Sequence, residues 1–225
     1  VNRRPSIDAS SGGSYRSAQR VQRGWNAMTS DEASEPEKPA RATVENDGTD
    51  ASPRLPVIDA HQHFWDLDRN HLPWLRDEPP IPFRYGDYAA LRRNYMPPDY
   101  RRDAAGLDLV GSVFVETEWD PADPIGETRW VHDLAASAEL PSAMVCQARL
   151  DRADASDVLA EQATFPLVRG IRHKPTAADA PDRVERGAPG SMTDPAWRRG
   201  YARLAKHGLS FDLQVHWWHL RESAE

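Results

Sequence analysis

Short segments of strand length alternate with amphipathic segments along most of the chain. The predicted strands cover residues 57–63, 109–116, 143–148, 167–173 and 209–215. Helical patterns separate them, at about 98–106, 123–139, 156–163 and 194–207. A strand–helix repeat of this kind forms a parallel sheet with right-handed crossovers.

Cap signals set the ends of the two longer helices. Asp123-Pro124 and Asp194-Pro195 each offer a capping carboxylate followed by a proline in the first turn. Gly208 follows the second of these helices and suits its C′ position. An apolar face is predicted on that helix from spacings of four, seven and eight: Trp197, Tyr201, Leu204 and Ala205.

Two segments stand apart from the repeat. Residues 1–54 are polar and poor in large apolar side chains, so we predict a disordered N-terminal tail before a domain at 55–225. The long aromatic and proline-rich connection at 65–98 has two interpretations. It is either a lid or wall over a site, or a packed surface loop.

Composition narrows the class of protein. The 225-residue chain has a formal net charge of −7 and no basic stripe, which argues against a nucleic-acid binder. No apolar run reaches the length of a membrane span and no signal peptide is evident, so we expect a cytoplasmic protein with no membrane contact. Its single cysteine, Cys146, rules out an internal disulfide and fits a reducing compartment.

Candidate chemistry begins with His61 and His63, one residue apart at the end of the first predicted strand. Since a strand has a side-chain period of two, Asp59, His61 and His63 are expected on one face. Two imidazoles on one face suit a divalent metal such as zinc, or the polarisation of a substrate. The alternative is a pair of ordinary polar residues at a strand exit.

Further polar side chains follow the other predicted strands: Glu116, Glu118, His173, Asp212 and His216. A (β/α)8 barrel builds its active site at the carboxyl ends of its strands. A doubly wound sheet shares this rule, but it more often carries a glycine-rich first turn. No such turn follows the first strand here.

Three stretches together resemble the amidohydrolase-2 family, in that family's order: IDAHQHFWD at 58–66, VRGIRH at 168–173 and GLSFDL at 208–213. Its members are predicted metal-dependent hydrolases of TIM-barrel fold, and they include L-fuconolactonase-like and 2-pyrone-4,6-dicarboxylate lactonase-like enzymes. The resemblance implies a divalent metal, zinc or similar, on His61 and His63. It also implies that His173 lies at the substrate as a catalytic residue. Lactonase members of the family can also work without a tightly bound metal, with histidines and arginines polarising the carbonyl, and this alternative stays open.

The implied reaction is attack of an activated water on a small lactone or a related cyclic ester or amide. Glu116, Asp212 and His216 are candidates for substrate binding. Arg172, on the strand face opposite His173, is expected to pair with a carboxylate rather than to meet the substrate. Two alternatives stay open. One is a decarboxylase of the same superfamily, and the other is a non-catalytic fragment or half of a complemented barrel.

Only about five of the eight strand–helix units of a barrel are recognisable in the sequence. Relatives usually continue with a histidine on strand six and an aspartate after strand eight, the latter acting as general base. We therefore expect an incomplete TIM barrel with little activity on its own. Its exposed sheet edges are expected to favour self-association.

Overall fold

A computed structural model describes residues 54–83 and 86–225, so the predicted tail lies almost entirely outside the described residues. The sheet has the order β1-β2-β3-β4-β5, and every neighbouring pair of strands is parallel. The strands are β1 (Pro56–Gln62), β2 (Asp108–Val115), β3 (Ala143–Gln147), β4 (Val168–Arg172) and β5 (Ser210–Asp212). This α/β half-barrel confirms the predicted strand–helix repeat.

Helices connect the strands and cover one face of the sheet. They are α1 (Pro73–Arg76), α2 (Pro97–Asp103), α3 (Gly126–Ala138), α4 (Ala155–Gln162), α5 (Pro195–Ala202) and α6 (Leu220–Ser223). Short 3₁₀ turns lie at Ala89–Leu91, Pro181–Arg183, Leu204–His207 and Trp217–His219. Among the described helices, none has both the length and the apolar character needed to cross a membrane.

The cap predictions had mixed outcomes. The Asp194 carboxylate accepts a hydrogen bond from the Ala196 amide at 2.8 Å, so the predicted start at Asp194 is confirmed. Gly208 has a φ of +65°, but it follows the 3₁₀ turn Leu204–His207 rather than the α-helix, which already ends at Ala202. The predicted start at Asp123-Pro124 is wrong, because α3 begins at Gly126. The Asp123 carboxylate is instead bound by the Arg129 guanidinium, at 2.7 and 2.9 Å.

The last predicted strand and helix face also needed correction. β5 is three residues long rather than seven, and among the described residues it pairs only with β4. Tyr201 and Ala205 are exposed, whereas Trp197 and Leu204 are buried as predicted. The α-helix ends at Ala202 and a 3₁₀ turn follows, which changes the helical period from 3.6 to 3 and rotates Ala205 outward.

The main core lies between the sheet and the helices. Its fully buried members include Phe64, Phe114, Met144, Leu159 and Ile171, which come from the strands, from a strand end and from α4. Burying such large apolar side chains is the main favourable term in folding. This core fixes the helix-facing side of the sheet, and it thereby determines which residues face the other way.

The connection at 65–98 forms a second, smaller core. Trp65, Leu72, Leu75 and Tyr88 are buried together within it. The indole Nε1 of Trp74 donates a hydrogen bond to the carbonyl of Thr117 at 2.8 Å, which ties this segment to the residues that follow β2. The segment is therefore packed against the domain, and a role as a wall over a site stays a prediction.

Gly200 on α5 allows the helix to touch the chain that follows β3. A Cβ atom at this position would overlap the backbone carbonyl of Leu150, which is not free to rotate away as a side chain is. The glycine is therefore required by close packing rather than by an unusual backbone angle.

Replacing Gly200 with alanine should lower the free energy of unfolding by about 1–3 kcal/mol, because the added methyl group overpacks the contact with Leu150. This cost outweighs the helix propensity of alanine, which exceeds that of glycine by about 1 kcal/mol. Urea denaturation followed by circular dichroism measures this change. Arg199→Ala, at an exposed position of the same helix, is the matched control and should change stability by less than about 0.5 kcal/mol. A Gly200→Ala variant as stable as this control would contradict the packing argument.

Candidate functional site

The sheet has one face toward the helices and one face away from them, which we call the inner face. Register partners across a parallel sheet point to the same side, and Phe114, Met144 and Ile171 all face the helices. Gln62 pairs with Phe114, so its neighbours His61 and His63 lie on the inner face. The predicted placement of both histidines on one face is confirmed.

The two imidazoles converge on one point. The Nε2 atoms of His61 and His63 are 3.2 Å apart. Two nitrogens bound to one tetrahedral zinc at about 2.0–2.1 Å would be about 3.3 Å from each other. The spacing of this pair therefore fits two ligands of a single metal ion.

A backbone contact orients His63. Its Nδ1 lies 2.8 Å from the carbonyl oxygen of Val115 at the end of β2, and because that oxygen can only accept, Nδ1 carries the proton. The lone pair is then on Nε2, the atom that meets His61. Burial lowers the pKa of His63 to about 4, so the ring is neutral near pH 7 and suited to metal binding.

The expected third member of this face is not there. Asp59 turns toward the helices, where its carboxylate accepts a hydrogen bond from the Tyr100 hydroxyl at 2.8 Å. The prediction that Asp59 shares a face with His61 and His63 is wrong, because the register shifts between Asp59 and Gln62 and breaks the period of two. Within the described residues, no group of three or more His, Cys, Asp or Glu side chains is arranged to hold a metal ion.

Arg172 occupies the inner face at the end of β4. It is only 8% exposed, and its Nε donates to Oδ2 of Asp212 at 3.0 Å. The prediction that Arg172 pairs with a carboxylate is confirmed. A second ion pair, between Lys174 and Glu118, lies nearby, and Arg172 and Lys174 both contribute to the low pKa of His63.

His173 points to the other side of the sheet. Its Nδ1 accepts hydrogen bonds from the Leu150 amide and from the Trp197 indole, both at 3.1 Å. Burial lowers its pKa to about 4. Because Arg172 faces inward, the next residue faces the helices. The structure therefore does not bring His173 to the imidazole pair, and its catalytic role stays a prediction from the resemblance.

The three candidates for substrate binding have different surroundings. Glu116 is buried after β2, which raises its pKa, and its carboxylate accepts a hydrogen bond from the Glu118 amide at 2.8 Å. Asp212 is held by Arg172. His216 is exposed and its ring stacks on Trp218 with centroids 4.4 Å apart. Their substrate contacts stay predictions.

Sequence reasoning missed Glu127, on the first turn of α3. Its side chain is buried, and Oε1 accepts a hydrogen bond from the Thr117 amide at 2.9 Å and another from the Thr117 hydroxyl. Burial, with Glu116 nearby, raises the pKa of Glu127 to about 8. A glutamate in the first turn of a helix ordinarily faces solvent, so no local pattern signals its burial.

Comparison with known proteins identifies the family. A family model described as amidohydrolase matches residues 58–224. This chain belongs to the amidohydrolase family. It is 34% identical over 171 residues to the uncharacterized protein y4mH of Sinorhizobium fredii, covering 76% of this chain and 57% of that protein. It is 29% identical over 158 residues to the L-fucono-1,5-lactonase of Burkholderia ambifaria, covering 70% and 47% respectively. This amidohydrolase chain thus spans about half the length of these relatives.

Solved structures agree on the fold. An amidohydrolase from Burkholderia multivorans with bound HEPES is 24% identical to this chain and superimposes on it with a TM-score of 0.51. The alignment covers 73% of this chain and 50% of that one. A second structure of that protein, with bound zinc, is also 24% identical, with a TM-score of 0.50 over 73% and 51%. These similarities confirm the predicted TIM-barrel class for the half-barrel.

The raised pKa of Glu127 makes stability depend on pH in a defined direction. In the folded chain this carboxyl holds its proton up to about pH 8, whereas its ordinary pKa is 4.5. Between these values the folded state binds the extra proton, so the free energy of unfolding falls as pH rises, by about 1.4 kcal/mol per pH unit from this group. The carboxyls of Glu116 and Glu118 face Glu127 from the end of β2, and the Cys146 thiol faces it from β3.

Glu127→Gln removes this titration. The free energy of unfolding of this variant should rise relative to that of the unmodified chain as pH increases from about 4.5 to about 8. Above about pH 8 the difference between the two free energies should be constant. Urea denaturation across this window measures the effect. Glu161→Gln, at an exposed position of α4, is the control and should give a curve parallel to that of the unmodified chain. A parallel curve for Glu127→Gln would show that the carboxyl is not held protonated.

Proposed function

We propose that this amidohydrolase hydrolyses a small lactone, or a related cyclic ester or amide, by attack of an activated water. The observation that carries the proposal is the convergence of the His61 and His63 Nε2 atoms on the inner face. Membership of the amidohydrolase family supports hydrolysis as the reaction class. The L-fucono-1,5-lactonase among the relatives supports a cyclic ester as the substrate.

His61 and His63 would hold a divalent metal, zinc or similar. When bound, such an ion lowers the pKa of a coordinated water and polarises a carbonyl group. The chain's own contribution is to keep the His63 ring neutral through burial and to hold it correctly turned. The Val115 carbonyl orients this ring, since it fixes the proton on Nδ1 and leaves Nε2 free.

Arg172 is proposed to meet the oxygen atoms of the substrate from the same face. A guanidinium is a fixed fork of donors that remains charged at any physiological pH, so it suits a developing negative charge on a carbonyl oxygen or a substrate carboxylate. Asp212 restrains the side chain through Nε. We therefore propose that Arg172, rather than the predicted His173, contacts the substrate.

Hydrolysis of a panel of sugar lactones, esters and amides by the purified protein tests the proposal. Because the described residues form an incomplete barrel, we expect slow but measurable turnover of at least one cyclic ester, loss of that turnover after chelation, and recovery with zinc. His61→Ala and His63→Ala should each lower kcat/KM by about 100-fold or more. His207→Ala, outside this face, is the matched control.

Two results would contradict this function. One is the absence of hydrolysis of every lactone, ester and amide in the panel. The other is release of carbon dioxide from a carboxylated substrate without hydrolysis, which would identify the decarboxylase alternative.

A second candidate role is association with another polypeptide, here a second copy of this chain. In the described part of the chain, β1 and β5 each pair with one neighbour only. Ile58 on β1 is 68% exposed and faces inward, opposite to Asp59. Unpaired strand edges beside exposed apolar side chains favour pairing with further strands.

Light scattering coupled to size exclusion, over a wide range of protein concentration, measures this association. We expect oligomers whose proportion rises with concentration and falls in Ile58→Lys, because the new charge lies beside the free edge of β1. Leu91→Lys, also at an exposed apolar position but outside the sheet, should leave the distribution unchanged. A monomer at every concentration would rule out this role.

A further inference from the structure

The turn that follows β2 has an unusual backbone. Glu118 has a φ of +58°, a left-handed backbone conformation that residues other than glycine and asparagine rarely adopt. Such residues persist only where their surroundings hold them, and they cluster at functional sites. This turn, residues 116–118, lies at the carboxyl end of the sheet, next to the strand that orients His63.

Two buried carboxyl groups, those of Glu127 and Glu116, accept hydrogen bonds from this turn. The Thr117 amide and hydroxyl both donate to Oε1 of Glu127, and the Glu118 amide donates to Oε2 of Glu116 at 2.8 Å. The Thr117 carbonyl accepts from the Trp74 indole on the opposite side. Two consecutive backbone N–H groups are therefore satisfied by side chains rather than by a strand.

The turn delivers two carboxyl groups to the candidate site. Glu118 forms an ion pair with Lys174, and Glu116 is buried beneath it. Lys174 and Arg172 act electrostatically on both Glu116 and His63, so these groups share one environment. A shift of the turn would move the carboxyls relative to Arg172 and to the imidazole pair.

We propose that Glu127 is a positioning residue, whose Oε1 fixes the turn at 116–118 and thereby the arrangement of Glu116 and Glu118 at the mouth of the site. Its catalytic consequence rests on the hydrolysis proposed above, whereas its structural consequence does not. Both donors meet a single oxygen, so the geometry requires an acceptor at that point rather than a negative charge. A buried, protonated carboxyl supplies such an acceptor through its carbonyl oxygen.

Two substitutions separate these requirements. Glu127→Gln keeps a carbonyl oxygen in the same place, whereas Glu127→Leu keeps the approximate size and removes the acceptor. Thr117→Val removes only the hydroxyl donor and leaves the core unchanged in shape, so it serves if the leucine variant fails to fold. Asp133→Leu, at an exposed position of the same helix, is the matched control.

Amide hydrogen exchange of Thr117 and Glu118, followed by NMR, reads the turn directly. We expect exchange to be faster by about 10-fold or more in Glu127→Leu, and by a smaller factor in Thr117→Val, with β3 and β4 unchanged. Glu127→Gln and Asp133→Leu should stay within about threefold of the unmodified protein. Unchanged exchange in both Glu127→Leu and Thr117→Val would overturn the proposal.

Steady-state kinetics on the same variants tests the consequence for catalysis. We expect kcat to fall by about 10-fold or more in Glu127→Leu with KM changed by less than about threefold, and Glu127→Gln to restore it. Altered exchange with an unaltered kcat would refute the positioning role. If the unmodified protein hydrolyses nothing, the proposed function fails, while the exchange measurement still decides whether Glu127 holds the turn.

Discussion

The site depends on the parallel pairing of β1 with β2. This pairing brings the Val115 carbonyl to the Nδ1 atom of His63 and so determines the tautomer of the ring. With the proton on Nδ1 of His63, its unprotonated Nε2 atom lies 3.2 Å from the Nε2 atom of His61, at the end of the sheet. A shift of one residue in this register would move both rings to the helix-facing side, since side chains alternate along a strand.

Charged groups surround this point in pairs that join different strands. Arg172 pairs with Asp212, and Lys174 pairs with Glu118, so that β2, β4 and β5 are connected at their carboxyl ends. Removing one partner of a buried ion pair costs more than the pair contributes, because the other charge is left unpaired. Arg172 is the most buried of these four groups, so its orientation depends most strongly on its partner.

The strand order, the shared face of His61 and His63, and the helix start at Asp194 could be predicted, because each follows from local periodicity or cap chemistry. The orientation of Asp59 could not, since a register shift inside β1 leaves no mark on the pattern of apolar residues. The burial of Glu127 depends on Thr117, ten residues away. Such contacts are set by the tertiary fold rather than by local sequence.

The central claim is that His61 and His63 present their Nε2 atoms to one metal ion. Long-range proton–nitrogen NMR of the histidine side chains during a zinc titration tests it most directly. We expect His63 to carry its proton on Nδ1 before zinc is added, and the Nε2 signals of both residues to shift together and saturate at one equivalent. A proton on Nε2 of His63, or zinc that leaves both Nε2 signals unmoved, would contradict the account.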